Sequence, residues 1–335
     1  TDRLLTKIRS GEMMSRNEKF NLIIQLSIPS ILAQVTTVLM FYIDAGMVGS
    51  LGAEPSAAIG LVEPATWLIF SLVSAVTMGF SVQVAHFIGA NDFPKARAVM
   101  RHGYFFVLCF SLLMLLIAFL IGPRLPIWLG GGADIQHDAM VYFLIFSGIT
   151  PFHLIEYMSG AMLKVAGDMR RPSMMAILMC VLDVIFNYFL IFPTRTISLF
   201  GIELTMPGFG AGVAGAALGS LLAFVCVALP LAYYAIFRSP ILAWKQDIER
   251  FSWRWQYIWN ALKISAPMGL QYLLMNGAQL VSTMIVAPLG NVAIAAHSFA
   301  ITAESLCYMP GYGISEAATT LVGQSVGADR RDLHR

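Results

Sequence analysis

With 335 residues, 58% of them hydrophobic and only 12% charged, the chain has too little charge for a soluble globular domain, where about a quarter of residues are charged. The formal net charge of +2 comes from basic residues spread over several polar segments, with no single stripe of the kind that binds nucleic acid. Cys109, Cys180, Cys226 and Cys307 stand singly inside apolar segments, which fits small core residues and neither disulfides nor a metal site.

Residues 1–19 carry Arg3, Lys7, Arg9, Arg16 and Lys19 and read as a basic, amphipathic leader without a cleavable signal. Apolar segments follow at 20–49, 56–88, 102–122, 136–162, 173–193, 211–237, 264–288 and 292–322. Each reaches the roughly 20 residues that a helix needs to cross a hydrocarbon core of about 30 Å. The expected fold class is therefore all-α: a polytopic protein of the lipid bilayer with eight spans in this chain. Pro29, Pro64, Pro151, Pro230 and Pro310 fall inside spans and mark kinks, because each removes one backbone hydrogen bond; Pro29 is the candidate hinge.

Lys and Arg favour cytoplasmic loops. With eight spans, nineteen of them fall on the side that holds both ends of the chain, and only Arg124 and Arg195 on the other. Arg250 and Arg335 belong to the nineteen. The N-terminus is accordingly expected in the cytoplasm, with the protein in the cell (inner or plasma) membrane. Between the sixth and seventh spans, residues 238–263 interleave Trp244, Trp253, Trp255 and Trp259 with basic residues, as in a helix lying at the membrane interface.

An internal repeat orders the chain. A shift of 238 positions lays Pro29 on Pro267, Leu51-Gly52 on Leu289-Gly290, Ala57-Ala58 on Ala295-Ala296 and Gly89-Ala90 on Gly327-Ala328, without a gap. Six spans then form a first lobe (1–237), 238–263 a linker, and 264–335 the start of a second lobe. Two six-helix bundles are expected, with four further helices belonging to the second. Asp44 has no twin: the equivalent residue is Ser282.

A nominal G-x-G-x-x-G at Gly210, Gly212 and Gly215 follows what reads as a polar loop and opens a membrane helix. A dinucleotide site needs a preceding strand and a βαβ unit, so close helix packing through Gly212, Gly215, Ala216 and Gly219 is the better reading. No nucleophile–base or metal signature is present, and the chain is not read as an enzyme. His86, His153 and His297 are expected to be structural, with a proton relay as the alternative.

The carboxylates inside spans are more informative: Asp44, Glu63, Glu156, Asp183, Glu304 and Glu316, against no Lys or Arg in a span core. An aspartate buried in a bilayer costs about 2.5–3.5 kcal/mol on insertion scales. Without a fixed cation it must be protonated, hydrogen-bonded, hydrated or neutralised by a bound ion, which describes a site that exchanges cations. Asp183 and Asn187 share a helix face at i, i+4, with Tyr188 beside them. Asp44 and Asp183 are the leading candidates, against structural helix–helix hydrogen bonding. Glu304 and Glu63 are secondary, and Glu156 and Glu316 lie within possible reach of Lys164 or the loop bases.

The segments "IPSILAQ", "IDAGMVGSLGA", "GANDFPKAR", "AGDMRRP", "GAGVAGAALGS" and "APLGNVAIAAHSF" together resemble the multidrug and toxic compound extrusion (MATE) transporters. The resemblance implies twelve helices in two lobes, working as a monomer that rocks between outward- and inward-open states. It also implies export of organic cations against proton or sodium entry, with no cofactor. Asp44 matches a first-helix aspartate used for cation coupling in one branch, where Na+ would sit at Asp44 and Asp183. The family's fifth-helix order of Asn then Asp is inverted here to Asp183 then Asn187. Ser220 stands where many members carry Thr, and an acid found on the seventh helix of another branch is missing around Leu274, Met275 and Asn276. The rival readings are a flippase for lipid-linked saccharides or lipids, which should need basic side chains for pyrophosphate, and a membrane sensor or receptor without transport.

Overall fold

The computed structural model describes residues 1–246 and 251–333; Arg250, Arg335 and part of the 238–263 linker lie outside them. A short helix α1 (Asp2–Ser10) turns Leu5 and Ile8 into the protein and Arg3 toward solvent, while Lys7 pairs with Glu18. Helix α2 (Arg16–Gly49) starts four residues before the expected span, because Ser15 and Glu18 form a reciprocal capping box that satisfies its first N–H groups. Then come α3 (Ala53–Gly89), α4 (Phe93–Ile121), the short α5 (Leu125–Trp128), α6 (Gln136–Ser147), α7 (Thr150–Val165), α8 (Arg170–Ile191), α9 (Gly212–Tyr233), α10 (Trp255–Val286) and α11 (Asn291–Gly327).

Among the described residues seven helices are long and apolar enough to cross a membrane, or eight if the bent pair α6–α7 is one span. That pair corrects the expected continuous span 136–162. The helix breaks at Gly148 and bends by 41°, with Pro151 in the first turn of α7, where its missing N–H costs nothing. Pro29, Pro64, Pro230 and Pro310 stay inside their helices. The linker is also corrected. Its tryptophans do not share one interfacial helix: Trp244 lies in a single 3₁₀ turn, and residues 255–263 are the first turns of α10.

One departure from an all-helical chain is a two-stranded antiparallel hairpin, β1 (Pro193–Leu199) and β2 (Ile202–Phe209), where a polar loop was expected. Leu199 pairs with Ile202, so Phe200 and Gly201 form a two-residue turn. Both have positive φ (52° and 83°), the geometry whose twist matches paired strands. A strand thus does precede Gly210, but in a hairpin and not in a βαβ unit. Beyond it, a side chain at Gly215 would run into the backbone of Leu190, which is how closely α9 approaches α8.

The 238-residue repeat is present in the backbone itself. Gly52 and Gly290 enter α3 and α11 with φ of 116° and 106°, and Asn91 and Asp329 leave them with φ of 58° and 52°. The two helices then pack on each other through repeat-related positions. A Cβ on Gly89 would meet the backbone of Gln324, and one on Gly327 the backbone of His86, the same contact made twice with roles exchanged. Nearer the other end Gly60 faces its own counterpart, Ser298, whose Cβ would lie 2.7 Å from a Cβ at position 60.

Candidate functional site

Helices α2 and α8 run side by side, and each brings one aspartate to their seam. Asp183 and Asn187 lie one turn apart on α8 and are almost fully buried (3% and 2% exposed); Asp44 on α2 is half-buried. The Asn187 amide nitrogen donates to Oδ1 of Asp44 and to Oδ2 of Asp183, each at 3.2 Å. One amide therefore joins two carboxylates from different helices. The Asn187 carbonyl oxygen is buried and has no hydrogen-bond partner among the described residues. It lies against Gly219 of α9, where any side chain would strike it, so α9 must carry glycine here to close over the amide. Ser220 follows and lies within reach of Asp183.

Sequence reasoning missed Tyr142. It is buried on α6 and lies within electrostatic range of Asp44, Asp183 and Glu63. A tyrosine in a membrane helix carries no signal by itself; only the break at Gly148 and the packing of α6 reveal its place. Tyr142 stacks on Phe146, Phe146 on Phe70, and Phe70 on His153, whose ring centroids lie 4.4 Å apart. A stack of four rings thus joins α6, α3 and α7. His153 meets Ser74 through Nε2 at 3.5 Å, and its Nδ1 has no partner among the described residues.

The remaining candidates separate. Tyr188 does not join the cluster, because consecutive helical residues point about 100° apart; it lies under the Arg195 guanidinium, 4.7 Å from the ring centroid. Glu63 on α3 is half-buried and accepts hydrogen bonds from Trp67 Nε1 at 3.4 Å and from the Ser298 hydroxyl of α11 at 3.3 Å. Glu304 is exposed on α11. Glu316 is held by Lys164 at 2.7 Å and by the Ser30 hydroxyl, and so belongs to an ion pair. Pro29 interrupts the hydrogen-bond ladder of α2 one residue before Ser30.

Two carboxylates joined by one neutral amide, with no basic side chain among the described residues in the cluster, repel each other in a low-dielectric setting and attract a proton or a small cation. Among the described residues no three His, Cys, Asp or Glu side chains are grouped as a metal site, so the oxygen set here is two carboxylates, an amide and hydroxyls.

Comparison with known proteins agrees with this architecture. The probable multidrug resistance protein NorM of Thermotoga maritima is 26% identical over 311 residues, covering 92% of this chain and 64% of its own length. Its Bacillus subtilis namesake is 24% identical over 326 residues, covering 95% and 68%. Among solved structures, a multidrug resistance MATE family transporter of the MOP superfamily in an outward-facing conformation superposes with a TM-score of 0.76 at 23% identity, over 93% of this chain and 66% of that one. A MOP superfamily transporter from Pyrococcus furiosus, described as having a binding pocket of reversed polarity, gives 0.78 at 23% identity over 93% and 66%. The chain thus spans about two thirds of the length of these proteins, and slightly less of the Thermotoga relative. The MatE family model matches residues 29–189 and 267–335, taking in the α2–α8 seam and both copies of the repeat. This polytopic, helical membrane protein is a member of the MatE family.

Proposed function

We propose that the chain belongs to a secondary antiporter that expels amphipathic organic cations, with Asp44, Asp183 and Asn187 holding the coupling cation, a proton or Na+, and Ser220 supplying a neighbouring oxygen. The observation that carries this reading is the Asn187 amide bridging two carboxylates from separate helices, with no basic side chain beside them among the described residues. A cation bound there would draw α2 toward α8, and its release would let them part. Relatives named for multidrug resistance support the substrate class.

In this reading residues 1–237 form the first lobe, 238–263 the linker and 264–335 the beginning of the second. The N-terminus faces the cytoplasm of the cell membrane, on the side of the nineteen basic residues. Movement is a rocking of one lobe against the other around the repeat axis.

Efflux from liposomes under imposed sodium or pH gradients tests the assignment. Only one gradient should drive transport, and Asp44→Asn and Asp183→Asn should each reduce driven efflux to background. Wild-type efflux by either variant overturns it.

A further inference from the structure

The β1–β2 hairpin takes no part in the ion site. It joins α8 to α9 after α2, α3, α4, the α6–α7 pair and α8 have each crossed, and so lies at the membrane face opposite the N-terminus. Its register sorts the side chains by chemistry, because facing residues of an antiparallel pair point the same way and successive ones alternate. Ile197 faces Leu204 and Leu199 faces Ile202, which makes one side apolar, with Arg195 opposite Met206 at its base. Thr196 opposite Thr205 and Ser198 opposite Glu203 make the other side polar. The apolar side is half-covered at Ile197 and Met206 and open toward the tip, at Leu199, Ile202 and Leu204. Phe200 in the turn is 98% exposed. It also stands at a φ of 52°, where a turn of this kind favours Asn, Asp or Gly over a bulky side chain. Local backbone preference gives no reason for a phenylalanine there.

The base of the hairpin leads onto a surface of α8 that faces away from the site. Cys180 and Asn187 of α8 are buried toward α2 and α9, whereas Met174, Leu178, Val181 and Ile185 are exposed on the opposite side. Helical spacing makes Tyr188 the next residue of that exposed stripe. The Arg195 guanidinium reaches back over it and over Phe192, at 4.7 and 4.2 Å from the ring centroids. On a helix that crosses a bilayer, an apolar stripe turned away from its neighbours meets lipid, and a Tyr with an Arg at its end marks the headgroup level.

We propose that the hairpin docks on the bilayer itself, with Leu199, Phe200, Ile202 and Leu204 inserted at the headgroup–acyl boundary of the leaflet opposite the N-terminus. Arg195 then lies among the headgroups, and the side of Thr196, Ser198, Glu203 and Thr205 faces water. A two-stranded ribbon is marginally stable alone in water, and a lipid surface gives its open apolar side something to pack on. With one Arg and one Glu the ribbon carries no net charge, so apolar insertion holds it and anionic lipid is not required. The docked ribbon fixes the level in the membrane of α8, the helix that carries Asp183 and Asn187.

Spin labelling in phosphatidylcholine liposomes reads the depth of the hairpin. The exposed cysteines Cys109, Cys226 and Cys307 are changed to serine, and the protein without an added cysteine serves as the blank. Nitroxides are placed singly by Phe200→Cys, Ile202→Cys, Glu203→Cys, Leu204→Cys and Thr205→Cys, all exposed positions whose change leaves the core intact. Power saturation then compares collision with oxygen, which concentrates in the bilayer, and with a nickel chelate loaded on both sides, which stays in water. Labels at 200, 202 and 204 should show an oxygen-to-nickel ratio severalfold above those at 203 and 205, so that the ratio alternates along β2. Adding Phe200→Asp to the Leu204→Cys protein should lower its ratio severalfold. Free nickel access at every position would place the hairpin in water and overturn the proposal. Low access of both reagents at 202 and 204 also defeats it, because protein, from this chain or a second copy, then covers the apolar side. A Leu204→Cys ratio that Phe200→Asp leaves unchanged shows that the tip does not hold the ribbon, and refutes the proposal as well.

Discussion

At the scale of single residues, the decisive group is an amide. Asn187 spends both N–H bonds on Asp44 and Asp183, and Gly219 keeps it there by offering no side chain. Gly219→Ala should therefore act on the site before it acts on the fold. An inserted methyl in a packed interior costs about 1–3 kcal/mol, and here the atom it strikes is the Asn187 carbonyl oxygen. Cation binding should be lost while a modest fall in thermal stability leaves the protein folded, as paired binding and melting measurements would show. Asp44, Asp183 and Asn187 were legible in the sequence because acids without cations stand out in apolar helices and i, i+4 spacing fixes a common face. Tyr188 was misplaced because adjacency in sequence is divergence on a helix. Tyr142 was invisible because its role depends on where α6 lies.

At the scale of elements, α1 shows what a small amphipathic helix does at the end of a bundle. Leu5 and Ile8 join Leu22, Leu26, Met169 and Ala317 in a common cluster. Arg330, just past α11, donates to the carbonyls of Lys7 and Glu12 while Asp332 holds its guanidinium from the other side. The Arg330 hydrogen bond holds the Asp332 carboxyl down to about 2, against an unfolded value of roughly 3.9. A lowered carboxyl contributes its stabilisation above the unfolded value and loses it as pH falls through the folded one. Hydrogen exchange in α1 should thus speed up as pH drops from about 4 to about 2 once intrinsic rates are corrected, and Asp332→Asn should show the faster exchange already at neutral pH with little pH dependence in that window. Helix existence was readable from hydropathy alone. The hairpin and the break between α6 and α7 were not, because a long apolar average hides a two-residue turn at Phe200-Gly201 and a bend at Gly148.

At the scale of the whole molecule, the repeat found by shifting the sequence returns as geometry: the same turn conformations at Gly52 and Gly290, and at Asn91 and Asp329. Low identity concealed how the copies meet, since contacts between helices are set by which small residues face each other and not by hydropathy. Gly89→Ala and Gly327→Ala each push a methyl into the backbone of the opposite helix. Both should cost about 1–3 kcal/mol and should raise the labelling of a cysteine placed at Ala85, by comparable amounts because the environments are equivalent. A large effect from one glycine and none from the other would show that the packing is not symmetric in solution.

The exchange of roles between Gly89–Gln324 and Gly327–His86 has an implication about origin. A surface in which residue i touches j while the copy of j touches the copy of i is the pattern of a twofold homodimer, written here within one chain. Such a surface needs to be invented only once, since duplication supplies its partner. Every later substitution on one copy then meets an unchanged face on the other, and Gly60 facing Ser298 is such a divergence on this surface.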